Sequence, residues 1–185
     1  MSPKLAKFIL EKTGWTLIGE PAPERCCIYL EAPHTSIWDF LIGYLYYRAR
    51  GHKLRVMIKQ EAFFFPVGNL LRALGGFPIN RKNPQKTIMS IVHEMESNVT
   101  KPFHLAICPE GTRKPVKKWK TGYHTIATQA NIPVYITIVD WGHKKTGIVC
   151  KAELTGNARA DTDRIQQIYE DLKPIALHPK NFVTR

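Results

Sequence analysis

Short apolar runs alternate with helix-patterned segments along this chain, and that alternation constrains its fold more than any other feature. Residues 26–32 (CCIYLEA), 54–58 (LRVMI), 77–79, 103–108 (FHLAIC), 134–139 (VYITIV) and 146–152 have the length and apolar content of strands. Helix signals stand between them. Residues 39–50 are apolar nearly all round, as in a buried helix. Residues 61–76, the most apolar stretch, are interrupted by Pro66 and Gly68. Asn83-Pro84 opens a helix carrying Ile88, Ile91, Val92 and Met95 on one face. Trp119, Tyr123, Ile126, Ala127 and Ala130 mark another, and a last helix carries Ile165, Ile168, Tyr169 and Leu172, with Asp161 expected as its cap and Pro174 as its stop. Strands alternating with helices predict an α/β fold with a mostly parallel central sheet flanked by helices. With no linker in 185 residues, one domain is expected over 1–185, with a loose tail over 178–185.

An amphipathic helix is expected over residues 3–12. Leu5, Phe8 and Ile9 share a face, Lys4, Lys7 and Lys12 surround it, and Trp15 follows. Such a segment suits a membrane interface, so 1–20 is read as a membrane-surface segment; packing of the same helix on the domain is the equal alternative. The charge balance points the same way. Against 15 Asp+Glu stand 27 Lys+Arg, a net charge of +12, which draws the chain to polyanions: nucleic acid, an anionic leaflet or phosphorylated substrates. No apolar stretch reaches the roughly 20 residues of a spanning helix and no secretory signal is visible, so a peripheral place on the cytoplasmic face of the membrane is expected. Cys26, Cys27, Cys108 and Cys150 offer no zinc spacing and read as free thiols; no metal is expected.

In open α/β sheets ligands gather beyond the carboxyl ends of the strands. If the strands are parallel, one edge collects His34 and Asp39, Arg81, the Glu110-Gly111-Thr112-Arg113 loop, and Asp140. His34 at a strand end and Asp39 at a helix start can meet across a turn. A carboxylate on one ring nitrogen makes the other a better base. No GxSxG and no cysteine in a nucleophile motif is present, so such a base would act directly on an acceptor hydroxyl or amine. Gly111 allows close backbone approach, Thr112 can donate a hydrogen bond, Arg113 can grip a phosphate and Glu110 can order the loop. Each pattern alone also fits a solvated turn. The basic run 113–120 leads into Lys120-Thr121-Gly122, an anion-friendly helix start.

His34…Asp39, Gly76…Arg81, Pro109-Glu110-Gly111-Thr112-Arg113 and Ile132-Pro133-Val134 occur in the order of the four sequence blocks of the glycerophospholipid acyltransferase family, which includes the 1-acylglycerol-3-phosphate acyltransferases. The chain resembles that family over residues 28–140. Trp119-Lys120-Thr121-Gly122 looks like a further family region. The resemblance implies that His34 is the general base and Asp39 orients it. Arg81 would bind the acceptor phosphate, Glu110, Gly111, Thr112, Arg113 and Lys120 would shape substrate binding, and Pro133 would lie on the acyl-donor side. It implies transfer of a fatty acyl group from acyl-CoA or acyl-carrier-protein to a lyso-phospholipid such as lysophosphatidic acid, with no bound cofactor and no metal. The expected partners are an anionic membrane surface, the lyso-phospholipid and acyl carrier protein. Pro33 stands where the family usually has Asn, and Asn80-Arg81 where Asp-Arg is common, which leaves the acceptor open to another lyso-lipid or an amino-acid lipid precursor. A basic nucleic-acid-binding module is the alternative from charge alone, but no nucleic-acid motif or aromatic interleaving supports it, and no nucleic acid is expected. The intact His34 and Asp39 argue against a lipid-binding relative without activity. Thioester hydrolysis is a further enzymatic alternative. The remaining histidines, His52, His93, His104, His124, His143 and His178, have no pattern placing them at the strand-end edge.

Overall fold

The computed structural model describes residues 1–80, 82–97 and 100–183. Its helices are α1 (Pro3–Lys12), α2 (Ile37–Ala49), α3 (Val67–Ala73), α4 (Pro84–Ser97), α5 (Gly122–Ala130) and α6 (Ala158–Leu172). Its strands are β1 (Thr16–Ile18), β2 (Cys26–Glu31), β3 (Leu54–Lys59), β4 (Gly76–Ile79), β5 (Phe103–Ile107), β6 (Val134–Asp140) and β7 (Lys145–Ala152). They form one seven-stranded sheet in the order β1-β7-β6-β2-β5-β3-β4.

The central strands β6, β2, β5, β3 and β4 are mutually parallel. Among the described residues only the β6–β7 hairpin is antiparallel, and β1 runs parallel to β7 at the edge. The expected single-domain α/β fold with a mostly parallel sheet is therefore present. β1 has no counterpart among the expected strands; three residues of an edge strand carry too little pattern to be read.

β2 is buried along its whole length, as a central parallel strand with both faces covered must be. Its side chains alternate. Cys26, Ile28 and Leu30 join Leu105, Ile107, Val134 and Ile136 in a core closed by Ile91 and Met95 of α4, Tyr123 and Ile126 of α5, and Ile165 and Tyr169 of α6. Cys27 and Tyr29 face the other side, against Tyr46 and Tyr47 of α2. On that side α1 docks Ala6 and Leu10 beside Trp15, Ile42, Leu45 and Val139, while Leu5 and Phe8 stay exposed. The result is helix, sheet, helix in three layers. All four cysteines are free thiols, and among the described residues no helix is long and apolar enough to cross a membrane.

Asp161 does not cap α6. The cap is Asn157, whose side-chain oxygen accepts the N–H groups of Arg159 and Ala160. Asp161 lies one turn inside the helix, fully buried, where Thr155, His124 and Arg164 draw it inward. The C-terminal residues return to the sheet edge: Ile175 pairs with Asp140 and Trp141, and the N–H of His178 donates to Thr35 Oγ1 at 3.2 Å. A short 3-10 turn follows at Pro179–Asn181, and Phe182 packs against the core.

Candidate active site

The turn between β2 and α2 is organised by a helix cap. Ser36 is the N-cap and Asp39 the third helical residue, and the two form a reciprocal capping box. Asp39 Oδ2 accepts the N–H groups of Thr35 and Ser36, each at 2.7 Å, and Oδ1 accepts Trp141 Nε1–H, also at 2.7 Å. With three donors and 1% exposure, the carboxylate is immobilised. His34 Nδ1 lies 3.7 Å from Asp39 Oδ2, a charge contact longer than a hydrogen bond. The backbone N–H of His34 donates to Glu110 Oε1 at 3.2 Å, which ties this turn to the loop after β5. The four-residue spacing of His34 and Asp39 is thus the spacing of a capping box with a histidine two residues before the cap.

The loop after β5 is equally constrained. Gly111 has φ +68°, a left-handed conformation, and a Cβ there would come 3.3 Å from Lys120 Cγ. The N–H of Lys120 donates to Pro109 O at 2.7 Å, so Lys120 is held beside Gly111. Thr112 Oγ1 accepts the N–H of Lys114, which assigns that hydroxyl a part in the turn. Arg113 is exposed on this edge, close enough for its charge to act on His34.

Burial sets the electrostatics. Desolvation lowers the His34 pKa below 6.5; Asp39 works against this and Arg113 adds to it. Its imidazole is neutral at neutral pH, the form a base requires. Desolvation, with the Asp39 and Glu110 charges nearby, pushes Glu31 up to about 8. Glu110 is also pushed to about 8 by burial, the hydrogen bond from His34 opposing and the Asp39 charge adding. Asp39 accepts three N–H hydrogen bonds, whereas Glu110 accepts one at Oε1 and its Oε2 is buried without a partner among the described residues. Neutral His34, the Asp39 carboxyl held by three N–H donors, and protonated neighbours form a site able to accept one proton at the imidazole.

The sheet brings together His34, Asp39, Glu110, Gly111, Thr112, Arg113 and Lys120. Arg81 lies outside the described residues. Pro133 is set apart: its carbonyl accepts the N–H of Ile28 at the opposite end of β2, so the length of β6, roughly 20 Å, separates it from Asp140. There it lines an open cleft of about 550 Å³ with Glu24, Asn131 and Lys151. His143 stands at the strand-end edge after all, with Nδ1 2.8 Å from Asp140 Oδ2 in the turn after β6. Sequence reasoning also missed Trp141 and Glu31. Trp141 packs edge-on against Trp15 at 5.0 Å, and Lys144 lies over both rings. An indole N–H directly after a strand-end aspartate was a usable signal. Glu31, the last residue of a wholly apolar strand, was another.

A family model described as "Acyltransferase" matches residues 19–139. A 1-acyl-sn-glycerol-3-phosphate acyltransferase of Pseudomonas aeruginosa is 30% identical over 121 residues, covering 62% of this chain and 44% of that protein. The match thus spans less than half the length of the curated relative. The crystal structure of PlsC, the 1-acyl-sn-glycerophosphate (LPA) acyltransferase from Thermotoga maritima, superposes with a TM-score of 0.60 at 16% identity, over 92% of this chain and 78% of that one. That likeness is one of fold. The family model covers well over half of the chain, its span contains His34, Asp39 and the Glu110–Arg113 loop, and the chain belongs to the acyltransferase family.

Proposed function

We propose that the protein transfers a fatty acyl group from an acyl-CoA or acyl-carrier-protein thioester to a hydroxyl of a lyso-phospholipid such as lysophosphatidic acid. The observation that carries this reading is His34: neutral, backed by an immobilised Asp39, with its side chain 20% exposed at the mouth of the strand-end edge. The ring nitrogen away from Asp39 accepts the acceptor's hydroxyl proton as that oxygen attacks the thioester carbon. The C–S bond then breaks, and the imidazolium returns the proton to the leaving thiolate. Asp39 balances the transient charge. Arg113, Lys120 and Arg81 offer positive charge to the acceptor's phosphate, and no metal or bound cofactor is needed for the step. Exposed Leu5 and Phe8 on α1, with Lys4 and Lys7 beside them, suit peripheral attachment to an anionic leaflet, placed here on the cytoplasmic side.

The test is thiol release from long-chain acyl-CoA and from acyl carrier protein, with and without lysophosphatidic acid, for wild type and His34→Ala. Acceptor-dependent release lost in the variant supports the reading. Release without acceptor identifies a thioesterase, and release only with an amine-bearing lipid moves the acceptor class.

A further inference from the structure

Behind the proposed base lies a set of side chains that the reaction above does not use. Glu31 ends β2, and Cys108 directly follows β5, its parallel neighbour. Leu30 pairs with Ile107, so the residues after them stand side by side on the α2 face of the sheet. The turn after β2 brings His34 back over them. One ligand-capable atom from each of Glu31, His34 and Cys108 lies within 4.8 Å of the other two. Glu31 is 6% exposed and wedged against α2, where a Cβ on Gly43 would come 2.6 Å from its Oε2. Among the described residues His34 Nδ1 has no hydrogen-bond partner.

A carboxylate, an imidazole and a thiolate are a donor set for a borderline-soft divalent ion, with a fourth position open to water. Tetrahedral zinc, with bonds of about 2.0–2.3 Å, sets its donors roughly 3.3–3.8 Å apart, so the three groups need to close by at most about 1.5 Å, a distance side-chain rotation covers. From this geometry we infer that Glu31, His34 and Cys108 form an inhibitory zinc site. The inference rests on His34 being the base. Zinc on the outward nitrogen consumes the lone pair that would take the acceptor's proton. Zinc on the inward nitrogen leaves the outward one carrying hydrogen. Either way the imidazole cannot accept a proton, and the enzyme is off while the ion is bound. Binding releases the Cys108 thiol proton and the Glu31 carboxyl proton to solvent, so occupancy rises with pH.

The test uses the full chain and cobalt(II) as a spectroscopic stand-in for zinc. Wild type is expected to give visible bands of tetrahedral cobalt and a near-ultraviolet thiolate-to-cobalt charge-transfer band. Cys108→Ser loses the charge-transfer band, Glu31→Gln keeps it with weakened visible bands, and Cys150→Ser is unchanged. These readouts do not depend on activity, so they stand even if the proposed reaction fails. Inhibition is then followed as labelled acyl chain reaching lipid, because released thiol itself binds zinc. Cys108→Ser is expected to raise the half-inhibiting concentration of buffered free zinc at least about tenfold, the usual scale for disturbing a metal's support. A charge-transfer band that survives Cys108→Ser, or no tetrahedral cobalt in wild type, overturns the inference.

Discussion

Three buried aspartates, Asp39, Asp140 and Asp161, each face a histidine here, and the most enclosed pair, that of Asp161, is not at the proposed site of chemistry. Asp161 Oδ2 meets His124 Nε2 at 2.9 Å, with both residues buried. Its oxygens also accept the N–H and hydroxyl of Thr155 and a guanidinium hydrogen of Arg164. Thr128 Oγ1 stands 3.4 Å from the other ring nitrogen of His124. Every direction is filled. Asp39 is held as firmly, but by backbone and indole donors, and its histidine stands off at 3.7 Å with one face toward solvent. Closure of a His–Asp pair marks a structural role. A fixed carboxylate beside a loosely held, accessible imidazole, as at Asp39 and His34, is the arrangement the proposed chemistry needs.

The largest expected effect breaks the pairs apart. His34→Ala should lower acyl transfer by about a thousandfold, the scale of a lost general base, while moving the melting midpoint by no more than about 3 °C. His124→Ala should do the reverse, melting markedly earlier while the surviving folded enzyme keeps its turnover. Steady-state rates and thermal melts on the same preparations check both. Next comes Asp161→Asn, which breaks a buried network and should cost about 3 kcal/mol in denaturant unfolding at neutral pH. Burial alone would raise the Asp161 pKa, but its bonds to Thr155 and His124 and the Arg164 charge lower it to about 2. Its contribution is therefore complete above the ordinary carboxylate range and disappears as pH falls from about 4 to about 2, a change of about 2 kcal/mol. Asp161→Asn should flatten wild-type stability across that window.

Smaller effects sharpen the comparison at the open site. Trp141→Phe removes one of the three donors to Asp39 and should lower kcat about tenfold with KM little changed, as expected for a group that only orients another. Glu31 has the opposite linkage to Asp161. Its folded pKa of about 8 lies above the unfolded carboxylate value, so the folded state keeps a proton that the unfolded chain has lost. Its effect is absent at pH 4 and grows as pH rises toward 8. Glu31→Gln should accordingly raise the melting midpoint more at pH 8 than at pH 5.

Much of this was legible in the residues. The apolar runs located the central strands, and their parallel pairing followed from the helices between them. That pairing is enough to place His34, Asp39 and the Glu110 loop on one edge. What escaped had little local pattern. β1 pairs with β7, more than 120 residues away in sequence, and Trp141 reaches Asp39 only because β6 lies beside β2. Asp161 shows the same limit. Next to Asn157 it reads as a helix cap, and only the packing of α5 against the start of α6 turns it inward to His124.

The central claim, that the imidazole of His34 is the base, meets its most direct test in kcat/KM for acyl transfer as a function of pH. His34 predicts one ascending limb with its midpoint below 6.5, moving upward in Arg113→Gln because a charge that holds the imidazole pKa down is removed. A midpoint near 8, where Glu31 and Glu110 titrate, and indifferent to Arg113→Gln, would contradict the account and make a buried carboxyl the base.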